Sequence, residues 1–162
     1  MTLRVLGVDP GTAVTGYAVV EPSQGRPGRL VECGVIRTDT KRPIWLRLET
    51  LYDGVSGLIA QHEPTAMAIE GVFYGKNVRT TVALGHARGV MLLAAAKAGV
   101  EMAEFSPATV KKTVAGVGGA TKEQIAFMVQ RLLALKSAPS PRDASDACAI
   151  ALTYLLTSRV PV

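Results

Sequence analysis

The stretch Leu3-Arg4-Val5-Leu6-Gly7-Val8-Asp9-Pro10-Gly11-Thr12-Ala13-Val14-Thr15-Gly16-Tyr17-Ala18-Val19-Val20 decides the architecture. Its two apolar runs, Leu3 to Val8 and Thr15 to Val20, are rich in branched residues that favour extended backbone. The Asp9-Pro10-Gly11-Thr12 interruption between them carries turn-forming residues. The spacing predicts two strands joined by a tight turn, with an acid where the first strand ends. A Gly/Pro-rich connection from Pro22 to Gly28 leads to a third strand, Leu30 to Arg37, in which alternation puts Leu30, Glu32, Gly34 and Ile36 on one face. Three antiparallel strands result.

From Pro43 onward the period changes. Ile44, Leu48, Leu51, Val55, Leu58 and Ile59 recur at spacings of three and four, predicting an amphipathic helix that stops near Glu63-Pro64. The short apolar run Ala66 to Ile69 reads as a strand ending at Glu70-Gly71, and Val78 to Ala98, rich in alanine and leucine, as a helix closed by Gly99. Val100 to Phe105 is a fifth strand, and Pro107 opens a short helix to Val114. Past the Gly116–Gly119 linker, Thr121-Lys122-Glu123-Gln124 has capping-box spacing, and Ile125, Met128, Val129, Leu132 and Leu133 form the stripe of the helix it begins. Ser140-Pro141 starts a last helix running to about Leu156. Strands that alternate with helices after a three-strand meander predict an α/β sheet with helices packed on its faces.

The chain has 162 residues, the size of one ordinary domain, so 1–162 is expected to fold as a single unit. Eighteen lysines and arginines against 13 acids give a net charge of +5, which favours a polyanionic partner such as nucleic acid. Cys33 and Cys148 lie far apart in sequence, outside any zinc-binding spacing, and read as small buried residues. No signal core is visible, and no apolar run approaches the roughly 20 residues that cross a bilayer. A cytoplasmic protein without a membrane partner is expected.

Four acids stand out. Asp9 and Glu70 each end an apolar strand, and the C-terminal strand ends of an α/β sheet are where ligand sites form. Asp9 alone is equally compatible with an Asx turn. Asp143 and Asp146 are three apart on the last helix, so they project from one face among the small residues Ala144, Ala147 and Cys148. The helix dipole favours an acid in the first turn and accounts for Asp143 better than for Asp146. Converging, the four would raise one another's proton affinity unless hard cations occupied the site, and oxygen-only ligation suits magnesium or manganese. Two such ions could assist in-line hydrolysis of a phosphodiester. His62 and His86 are near no acid in sequence and read as structural or surface residues.

The blocks LGVDPGTAVTGYAVV, AIEGVFYGKN, LGHARGV, VKKTVAG and DASDACAIA resemble, in order, those of the RuvC Holliday junction resolvases, and they span nearly the whole chain. The resemblance implies a ribonuclease H-like fold, a five-stranded mixed sheet with helices on both faces. It implies metal ligands at Asp9, Glu70, Asp143 and Asp146, the four that spacing nominates, holding two Mg2+ ions with Mn2+ as a substitute. It puts a base-stacking aromatic at Phe73 and functional basic residues at Lys111 and Lys122, and together with Lys76, Arg79 and Lys112 these lysines are candidate phosphate contacts. It further implies a homodimer that cuts a four-way junction symmetrically in recombination and repair, with the branch-migration proteins RuvA and RuvB as partners. The apolar helix Val78 to Ala98 is the candidate dimer interface. Rival readings are a related nuclease acting on structured RNA precursors, a junction-binding module without catalysis, and an actin-like or sugar-kinase-like ATPase, which needs two such domains.

Overall fold

The computed structural model describes residues 2–71 and 75–158. Five strands form one sheet in the order β3-β2-β1-β4-β5: β1 Val5–Asp9, β2 Val14–Ser23, β3 Arg26–Arg37, β4 Ala66–Glu70 and β5 Glu101–Phe105. The meander β1-β2-β3 is antiparallel, whereas β4 and β5 run parallel to β1 and are reached through helices. The helices are α1 Ile44–His62, α2 Val78–Ala98, α3 Pro107–Ala115, α4 Lys122–Leu132 and α5 Arg142–Thr157. None is long and apolar enough to cross a membrane, among the described residues.

The sheet is buried on both sides, which explains the unbroken apolar runs of its central strands. Leu6, Val8, Met67 and Ile69 face α1 and α2, packing with Leu51, Val55 and Met91. Val5, Ala18, Ala66 and Ala68 face α3, α4 and α5. Each fully buried Val or Leu contributes about 1.5–3 kcal/mol relative to exposure, so β1, with Val5, Leu6 and Val8 wholly buried, is anchored from both faces.

α5 comes unusually close to the sheet. A side-chain carbon at Gly7 would overlap the backbone oxygen of Ala147, and one at Gly16 would overlap that of Asp143. Glycine at these positions lets the helix rest directly on β1 and β2. The same contact sets Asp143 and Asp146 above the end of β1.

Three sequence-based expectations need correction. The connection Pro22 to Gly28 is not a loop: β2 runs to Ser23, β3 starts at Arg26, and Gly25 at φ 74° makes the tight turn. Leu30, Glu32, Gly34 and Ile36 do not all share a face. A register shift pairs Val20 with Leu30 but Val19 with Glu32; the extra residue on β3 turns Leu30 toward the α5 side while Ile36 packs with α1. Of the two cysteines expected to be buried, Cys148 is, whereas Cys33 is only half-buried and meets Cys148 thiol to thiol between β3 and α5. The expected helix ends agree closely with those observed. Asn77, Ser106 and Thr121 cap α2, α3 and α4, with the full capping box at Thr121 and Gln124. α5 starts at Arg142 after Pro141, with no side-chain cap from Ser140.

Candidate active site

Asp9 and Glu70 close two adjacent parallel strands, and their carboxyl groups lie side by side, hydrogen-bonded to each other. Parallel neighbours in register at Val8 and Ile69 bring the next residues out at the same edge of the sheet, so the convergence follows from topology. α5 lies across that edge, and the charges of Asp146 and Asp143 both act on Asp9. Burial, then the charges of Glu70, Asp146 and Asp143, push the Asp9 carboxyl up to about 8. Burial likewise raises Glu70, together with the charge of Asp146, against the opposing influence of its hydrogen bond to Asp9 and of Lys122 and Lys111. A buried acid in this state attracts positive charge.

Lys122, at the start of α4, supplies some. Its Nζ is 3.2 Å from Asp146 Oδ2, and that hydrogen bond and charge, with Asp9 and Asp143 further off, hold the ammonium above its usual value. Asp9, Glu70, Asp146, Lys111 and Lys122 all line one cleft of about 180 Å³, whose apolar wall is Pro107, Val110, Ile125 and Ile150. Asp143, in the first turn of α5, is not among the residues that line it. As the side chains stand, no three His, Cys, Asp or Glu groups among the described residues are close enough together to hold a metal ion. Asp146 is engaged with Lys122 instead. An all-oxygen donor set with excess negative charge fits a hard divalent cation.

The other nominated residues divide. Lys111 is half-buried in the cleft, while Lys112, the next residue on α3, is exposed outside its lining. Lys76 and Arg79 are exposed where α2 begins, also away from the lining. Phe73 lies outside the described residues. His62 is buried, its Nε2 3.0 Å from Glu32 Oε2 on the far side of β1 from the acids, and His86 is exposed, so neither joins the cleft.

One contact escaped the sequence reading. The buried Arg88 of α2 donates from Nε to the backbone oxygen of Glu70 at 3.1 Å. Its signal was a charge flanked by Ala87 and Gly89 inside the block LGHARGV, which assigned no role to any residue.

The model of the family described as crossover junction endodeoxyribonuclease RuvC matches residues 5–154. A relative of that description from Moorella thermoacetica is 47% identical over 153 residues, covering 94% of this chain and 90% of its own. Another, from Desulforamulus reducens, is 45% identical, covering 93% and 91%. Among solved structures, Thermus thermophilus RuvC in complex with a Holliday junction substrate superposes at TM-score 0.92 and 35% identity, covering 97% of this chain and 95% of that one. The yeast mitochondrial Holliday junction resolvase Ydc2, at 14% identity and TM-score 0.67, shares the fold. The sheet with helices on both faces is the ribonuclease H-like arrangement that the sequence motifs implied. The chain belongs to the RuvC family of crossover junction endodeoxyribonucleases.

Proposed function

We propose that this Holliday junction endonuclease cuts DNA at the cleft lined by Asp9, Glu70 and Asp146, with Asp143 joining them from the first turn of α5, and that the four carboxylates hold two divalent metal ions, Mg2+ or Mn2+. The observation that carries the reading is the pair Asp9 and Glu70, in contact at adjacent strand ends under the charge of both α5 acids. When bound, such ions supply the Lewis acidity that hydrolysis of a phosphodiester needs. The protein's own groups do the rest. Asp9 and Glu70 fix the ligand geometry from rigid strand ends, and Asp146 and Asp143 close it from the helix. Lys122 and Lys111 line the same cleft, where an ammonium can pair with a phosphate oxygen and orient the scissile group. Lys122 is meanwhile the countercharge for Asp146; a cation held by Asp146 would take over that role and leave the ammonium for a DNA phosphate. Lys76, Arg79 and Lys112 are exposed and contact phosphates farther from the cut, and Phe73 stacks on an unpaired base.

A four-way junction has two-fold symmetry, and the reading includes a homodimer whose two clefts cut two strands in a paired manner, in concert with RuvA and RuvB. Supporting it, α2 exposes Val78, Val82 and Leu93, and Trp45 of α1 is 67% exposed. Trp45, Tyr52, Val90 and Leu93 line one shallow groove across the two helices. A monomeric mass at micromolar concentration, alone and on junction DNA, would remove the dimer.

The deciding experiment compares Asp9→Asn with the unmodified chain on a mobile four-way junction, with and without divalent metal, mapped on all four strands. Cleavage disappears in the variant while junction binding persists, because binding rests on phosphate contacts. Retained cutting would take Asp9 out of the site.

A further inference from the structure

We infer that Arg88 is a positioning residue for this active site: its buried guanidinium ties off the end of β4 and so sets the direction in which Glu70 presents its carboxylate. The inference rests on Glu70 acting as a metal ligand. The geometry of the strand end motivates it. β4 pairs with β1 only as far as Val8 and Ile69, but with β5 as far as Glu70 and Phe105. The Gly71 N–H donates to the Phe105 oxygen at 2.8 Å. A trans peptide points its carbonyl away from its N–H, so the Glu70 oxygen is turned from β5 toward β1. There β1 breaks at Asp9-Pro10, and proline has no N–H to offer.

Arg88 meets that carbonyl. Its Nε bonds the Glu70 oxygen at 3.1 Å from a side chain only 11% exposed. Its Nη2 lies 3.2 Å from Glu104 Oε1 on β5, out of line for a hydrogen bond, and has no other acceptor among the described residues. One planar group therefore spans α2, the end of β4 and β5. An ordinary structural arginine would pair at the surface. This one is buried beside Ala87 and Met91, which are wholly inaccessible, and its best-formed contact is to the backbone of a ligand residue. Loss of a group that orients a metal ligand typically costs about 10–100-fold in metal affinity or activity.

The test uses Mn2+ binding to the full chain, followed by the resonance of the free ion, alongside junction cleavage, metal-free junction affinity and thermal melting. In Arg88→Met, Mn2+ binding weakens about tenfold or more and the single-turnover cutting rate falls, while metal-free junction affinity is unchanged. Arg88→Lys retains the charge and most of the buried stem, so it folds even if Arg88→Met does not. It cannot reproduce the planar fork, and its Mn2+ affinity falls between the two. Wild-type Mn2+ affinity in the folded Arg88→Lys protein overturns the proposal, as does a variant that merely melts earlier. Asp9→Asn separates the two levels: if it leaves Mn2+ binding intact, the carboxylate reading itself fails. If it weakens binding while the Arg88 variants do not, only the role of Arg88 fails.

Discussion

A buried acid lies near each end of β1, and the two are built on opposite principles. Beyond its N-terminus, Glu21 of β2 is only 6% exposed yet fully answered. Arg4 donates to it from Nε at 2.8 Å, and Arg29 pairs with its second oxygen. Burial alone would raise this carboxyl, but the hydrogen bonds and charges of the two arginines outweigh it and hold the group below the ordinary carboxylate range. At the C-terminus, Asp9 is pushed up to about 8 by burial and by three further acids. Among the described residues, the cations acting on that cluster are lysine ammoniums, with Lys122 already engaged by Asp146. A buried acid with its countercharge supplied by the chain holds structure together. One left short of countercharge is reserved for something that arrives from outside.

The sharpest way to break this contrast is to neutralise one acid at each end. Glu70→Gln should reduce cleavage below detection yet leave the metal-free protein as stable as before or more so, since it removes repulsion. Glu21→Gln should leave cleavage by the folded protein intact and cost about 1.5–3 kcal/mol, the worth of a charge-assisted hydrogen bond, read from denaturant midpoints. If the two variants exchanged these signatures, the contrast would be wrong.

A smaller effect tests how the acids are brought together. Gly16→Ala forces α5 off β2 and should cost about 1–3 kcal/mol as an overpacking substitution. Because the carbonyl it displaces belongs to Asp143, cutting should fall in the molecules that remain folded. Destabilisation without any loss of cutting would show that α5 need not sit so close.

The mildest test is pH. A folded-state carboxyl raised to about 8 from an ordinary 3.8 favours the folded state when protonated, so stability from Asp9 drains away as pH rises from about 4 to 8. Glu21, lowered from 4.5, works the other way, with its stabilisation present above that value and lost as pH falls below it. Melting of the metal-free protein should therefore weaken on both limbs. Mg2+ should restore the alkaline limb alone, and Glu21→Gln should flatten the acid one. A melting temperature indifferent to Mg2+ at pH 8 would contradict the site.

Local periodicity was enough to determine most of the elements, because apolar spacing and caps such as Thr121-Gln124 act over a few residues. It also nominated the four acids, since a strand end and a helix face are local properties. What periodicity could not show was the bulge that turns Leu30 away from Ile36, which depends on pairing with β2. Nor could it show Cys33 meeting Cys148, or Arg88 reaching the Glu70 carbonyl, because each joins segments whose proximity arises only when the sheet and helices pack. Whether a buried acid is answered, as at Glu21, or left wanting, as at Asp9, is likewise decided in three dimensions. Charge acts through space, and the chain order does not say which charges become neighbours.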